Sequence, residues 1–127
     1  MNDIACVADV ARVWARKTPD AEALWFEGRS TTYAELDRAA SRCANALIAA
    51  GVQPGDRVAV ILPNCPQHVV ALFAVLRVGA VVTHCNPLAP AHELRQQLRD
   101  AGAEVVVCLD RTVPTVLEVR ADCRVRS

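Results

Sequence analysis

The chain has 127 residues, 53% of them hydrophobic, with 14 Lys plus Arg balanced by 14 Asp plus Glu. That length suits one compact unit, and the apolar share is too high for a disordered chain. A formal net charge of zero leaves no basic surplus of the kind that attracts nucleic acid or anionic lipid, and no acidic tail.

In chain order, Ile4, Val7, Val10, Ala11 and Trp14 fall at helical spacing and predict an amphipathic helix over Asp3 to Arg16. Its polar face mixes Asp3, Asp9, Arg12 and Arg16, which favours packing on the domain over lying on a membrane. Ala23 to Phe26, the turn Glu27-Gly28-Arg29-Ser30 and Thr31-Thr32 predict a small hairpin. Thr32-Tyr33-Ala34-Glu35 is a capping box, so a long helix follows, with Leu36, Ala39, Ala40, Cys43, Ala46, Leu47 and Ala50 inward and Gly51 as its stop.

Arg57 to Leu62 is a β-branched run opened by the turn Val52 to Asp56. Asn64 is the expected N-cap of a helix from Pro66 to Val78, stopped by Gly79. Val81 to Thr83 is a second strand, His84 to Pro90 a loop, and Ala91 to Ala101 a helix stopped by Gly102. Val105 to Leu109 is a third strand; Thr112 to Val119 reads as a helix and Cys123 to Arg126 as the start of a strand. Strands apolar on both faces and separated by helices imply parallel pairing through right-handed crossovers. The expected fold class is α/β: a partial three-layer fold with a parallel βαβαβ core, preceded by a helix and a small hairpin. Residues 1–127 read as a single incomplete domain, because a three-stranded parallel sheet has two open edges that complete domains cover.

Six cysteines are scattered without a CxxC pair, and Met1 to Cys6 shows no basic segment leading into an apolar one. The expectation is a cytoplasmic chain with reduced thiols acting as small apolar residues. The longest apolar stretch, Val69 to Thr83, is interrupted by Arg77 and Gly79 and is shorter than the ~20 residues of a membrane span.

From Leu24 to Leu109 these motifs together resemble the N-terminal part of the adenylate-forming (AMP-binding) superfamily. Thr32-Tyr33-Ala34-Glu35-Leu36 is similar to its first core motif and Leu76-Arg77-Val78-Gly79-Ala80-Val81-Val82 to its second. Pro54 to Gln67 is most similar to bacterial long-chain fatty-acid–CoA ligases. Asn86 to Leu94 and Ala101 to Val107 continue the match in order, while His84-Cys85 departs from the proline common in the wider superfamily. The resemblance implies a parent reaction in which a fatty acid attacks the α-phosphate of ATP and coenzyme A then displaces AMP, with Mg²⁺ assisting. Phosphates need clustered backbone amides and a Lys or Arg. The family supplies these from a Ser/Thr/Gly-rich loop, an acidic motif and a C-terminal lysine, none of which is present.

No catalytic, cofactor-binding or metal residue is therefore assigned, and the chain alone is expected to be inactive and to bind no cofactor. Its expected partner is the remainder of the synthetase or a full-length homologue. The alternatives are a truncated paralogue that docks on a full-length synthetase without catalysis, or a small α/β protein of another class. Several residues carry sharper chemistry that the pattern argues against. Cys65, His68, His84, Cys85 and His92 are metal-ligand types, but they lie in separate elements without paired zinc spacing. Cys85 follows a strand where ligands gather, yet adjacent His84 points to the opposite face. Asp56 and Arg57 read as turn and strand-start residues, and Arg77 as a solvated charge at a helix C-terminus.

Overall fold

In the computed structural model, which describes residues 3–127, the order is α1 (Val10–Lys17), β1 (Glu22–Phe26), β2 (Arg29–Thr32), α2 (Tyr33–Ala49), β3 (Arg57–Ile61), α3 (Pro66–Val78), β4 (Val81–His84), α4 (Ala91–Ala101), β5 (Val105–Cys108) and α5 (Val113–Val119). The fold class is the expected α/β. β1 and β2 form an antiparallel hairpin, and β3 to β5 form a parallel sheet in the order β4-β3-β5.

β3 lies at the centre, and its alternating side chains feed two cores. Val58 and Val60 pack with Leu47, Ala71, Ala74 and Val75 of α2 and α3. Ala59 and Ile61 pack with Leu94, Leu98, Val116 and Val119 of α4 and α5 on the other face. That alternation makes three layers from one strand. Small residues at the α2–α3 contact, Ala40, Ala44, Ala71 and Ala74, are all buried and let the two helices approach closely.

The local chemistry explains most of the boundaries. Thr32 Oγ1 accepts from Glu35 N at 3.2 Å, and the Glu35 carboxylate accepts from Thr32 N at 2.9 Å, so the capping box forms. α3 and α4 end on Gly79 and Gly102, both left-handed at φ +82° and +64°.

Several expectations are corrected. The first helix is shorter: a 3₁₀ turn at Val7–Asp9 precedes it, held by the Asp9 carboxylate accepting from the backbone of Ala5 and Cys6. These bonds chiefly hold Asp9 below the ordinary 3.8 of an aspartate. Cys65, not Asn64, is the N-cap of α3, and its side chain makes no capping bond; Pro66 at the first turn lacks the N–H that would need one. On α2, Ala44 is buried while Ala46 and Ala50 are exposed, because α3 covers a stripe one residue round from the expected face. His84 is the last residue of β4 rather than the first of a loop, and β5 ends at Cys108. Cys123 to Arg126 is extended without forming a regular strand; Arg126 N donates to Glu104 O and Val106 N to Ser127 O along the β5 edge.

Arg77 is not a solvated charge. Its side chain is only 13% exposed, and it turns back from α3 onto α2. Nη1 donates to Asp37 O at 3.0 Å and to Ser41 Oγ at 2.8 Å, and Nη2 pairs with Asp37 Oδ1. The helix-end position is as expected, but the packing of α3 on α2 leaves the guanidinium under α2, where the Asp37 carboxylate and carbonyl and the Ser41 hydroxyl receive it.

Candidate site at the carboxyl ends of the parallel strands

β4 and β5 flank β3 on opposite sides, so the connections leaving the carboxyl ends of β3 and β5 diverge and open a crevice, the place where α/β sheets gather ligands. A cleft of about 960 Å³ lies there, floored by Leu62, Ala71, Val107 and Leu109 and rimmed by Arg29, Glu35 and Arg42. A smaller recess of about 370 Å³ lies beside it, between Trp25 and Phe26 of the hairpin and Cys65, His68 and Val69 of α3.

Next to this recess stand two histidines. The register pairs Val60 of β3 with His84 of β4, and α3 starts five residues beyond Ile61 of β3, so the βαβ unit brings His68 above the end of β4. The His68 Nδ1 lies 3.1 Å from Leu62 O and 3.2 Å from Pro63 O. Carbonyl oxygens only accept, so Nδ1 carries a hydrogen, and in the neutral ring Nε2 is then the acceptor. His68 Nε2 and His84 Nδ1 share a hydrogen bond across 3.0 Å, with His84 Nδ1 the donor when both rings are neutral. The rings stack with centroids 4.8 Å apart and planes 25° from parallel. Burial first, and then the neighbouring His68 charge, hold His84 below the ordinary imidazole value of 6.5. The pair is therefore neutral at neutral pH at its His84 end.

The other weighed residues do not converge here. His92 is exposed on α4, in the other helix layer. Cys85 is 5% exposed in the core beneath α4, where burial pushes its thiol above the ordinary value of 9.0; that is the opposite of an activated nucleophile. Asp56 Oδ2 accepts from Gln53 N at 2.9 Å and faces Arg126 at 3.3 Å. Arg57 reaches further than its turn and donates to Ala101 O at 2.8 Å, at the end of α4. Among the described residues, no three metal-ligating side chains cluster. The apposition of His68 and His84 is what reasoning from sequence missed; the available signal was that one follows β3 and the other ends β4, two neighbours in a βαβ unit.

Among the described residues the five glycines do not build a nucleotide-phosphate cradle. Gly28 and Gly55 face open space, and a Cβ on Gly51, Gly79 or Gly102 would meet Arg126, Pro54 or Arg57 respectively. The glycines serve separate turns and make no shared cradle of backbone amides.

Comparison with known proteins agrees with this architecture. The AMP-binding enzyme family matches residues 11–127. A long-chain-fatty-acid–CoA ligase of Bacillus subtilis is 42% identical over 106 residues, covering 84% of this chain and 19% of that protein. A feruloyl-CoA synthase of an Amycolatopsis species is 43% identical over 107 residues, covering 84% and 22%. The solved structure of a Mycobacterium tuberculosis fatty acyl CoA synthetase superposes with a TM-score of 0.82 at 30% identity, over 90% of this chain and 23% of that one. The chain thus spans about a fifth of the length of the curated relatives it matches. With the family match running through nearly every described element, the chain belongs to the AMP-binding enzyme family.

Proposed function

We propose that residues 1–127 are one incomplete domain, the N-terminal scaffold of an AMP-forming fatty-acid–CoA ligase, inactive alone and cytoplasmic. One observation carries this reading: the family match covers residues 11–127 while reaching only about a fifth of the relatives' length. The parent reaction joins a fatty acid to coenzyme A through an acyl-adenylate, using ATP and Mg²⁺. The groups that bind them belong to the remainder of the synthetase, which is the partner of this chain. Fatty-acid names among the relatives, and six free thiols, support the substrate class and the reducing compartment. Trp25 is 66% exposed and Phe26 37% exposed, an apolar surface suited to being covered by that remainder.

The same exposed aromatics fit a second reading, a truncated paralogue that docks on a full-length synthetase. A chimaera separates the two. Residues 11–127 replace the matching region of the Bacillus subtilis ligase, and acyl-CoA formation from a long-chain fatty acid is measured. Retained activity supports the scaffold reading. A folded chimaera that forms no acyl-CoA overturns it in favour of the docking paralogue.

A further inference from the structure

We propose that His68 and His84 form an exchangeable site for one divalent transition-metal ion of the zinc type, with water completing its shell. The separation of His68 Nε2 and His84 Nδ1 is 3.0 Å. Two nitrogens bound to one zinc at about 2.0–2.1 Å lie about 3.0–3.4 Å apart for angles near 95–110°. The pair therefore already has the bite of a chelate, and small ring rotations re-aim the lone pairs at a common point.

The surroundings also favour this. Metal-binding histidines commonly donate their second N–H to a carbonyl, which fixes tautomer and orientation. His68 does so, with Nδ1 held by Leu62 O and Pro63 O. His68 stands on the first turn of α3 and His84 at the end of β4, both rigid elements, so little order has to be gained on binding. Imidazole pairs suit zinc, copper and nickel over the hard cations. In the metal-free pair, the His84 Nδ1 hydrogen bridges to His68. When the ion takes both nitrogens of two neutral rings, that hydrogen moves to His84 Nε2, and the proton count is unchanged. Among the described residues no third ligand joins the two, which distinguishes this site from closed four-ligand structural zinc. The proposal is independent of the ligase reading.

The test uses the full chain, ¹⁵N-labelled and reduced, titrated with zinc chloride and followed by long-range ¹H–¹⁵N spectra of the imidazoles. At one equivalent, His68 Nε2 and His84 Nδ1 shift together while His92 stays still. His84→Gln leaves a donor for His68 and an unchanged circular dichroism spectrum, yet weakens zinc binding by at least about tenfold. His92→Ala and Cys65→Ser leave binding unchanged. The proposal is overturned if His84→Gln binds zinc as tightly as the parent chain or if Cys65→Ser abolishes binding.

Discussion

The ion pair between α2 and α3 gives the sharpest stability prediction. Asp37→Ala removes the carboxylate and the packing around it, and leaves the Arg77 guanidinium, whose side chain is 13% exposed, with only Asp37 O and Ser41 Oγ. Breaking a buried pair by deleting one partner costs about 3–5 kcal/mol. Asp37 keeps 29% of its side chain in water, so the low end, about 3 kcal/mol, applies. With a urea m-value of about 2 kcal/mol/M, the unfolding midpoint falls by about 1.5 M at constant m. Asp37→Asn, which retains an acceptor, loses roughly half of that. Replacing both partners, as Asp37→Leu with Arg77→Met, recovers most of the loss, because an apolar pair leaves no stranded charge. The assay is urea unfolding followed by far-ultraviolet circular dichroism on the parent chain, these three variants and the singles Asp37→Leu and Arg77→Met. A midpoint change below about 0.25 M for Asp37→Ala, or additive effects in the double variant, would refute the reasoning.

Three further outcomes follow from the geometry. Thr32→Ala removes the capping acceptor for Glu35 N and lowers stability by about 1 kcal/mol, measured by the same unfolding curves. Thiol labelling under native conditions modifies exposed Cys6 first and Cys85 last, since Cys85 is shielded and its thiol is pushed upward by burial; mass spectrometry of the labelled peptides gives the order, and early labelling of Cys85 contradicts the packing. His84 binds protons less readily folded than unfolded, because burial and His68 lower its value from 6.5. Its contribution to stability is therefore complete above about pH 6.5 and is lost as pH falls from there through the lower folded value. His84→Gln flattens that acid limb of the midpoint-against-pH curve, and an unchanged limb would count against the assignment.

How far the fold can be read from residues alone differs by element. α4 and α3 are legible to the residue because their start and stop signals are local: proline near one end and a left-handed glycine at the other. The capping box at Thr32 is equally local. What pattern reasoning misses is set by tertiary neighbours. The burial of Arg77 depends on α2, 40 residues away in sequence, and nothing beside Arg77 encodes that partner. The shift of the α2 inner face towards Ala44 comes from where α3 crosses it. The first helix is cut short by Asp9, whose carboxylate bonds back to Ala5 and Cys6 and favours a 3₁₀ turn. At the site, the burial of Cys85 follows the reading of the scattered cysteines as small apolar residues, whereas the contact of His68 with His84 arises from the parallel register of β3 and β4.

Under the proposed scaffold role, these residues supply framework and no nucleotide chemistry. The most direct measurement is pyrophosphate release by the purified chain with ATP, Mg²⁺ and a long-chain fatty acid, with and without coenzyme A. The expected release is no faster than buffer at any fatty-acid concentration. Saturable, ATP-dependent release that follows the chain through purification would contradict it.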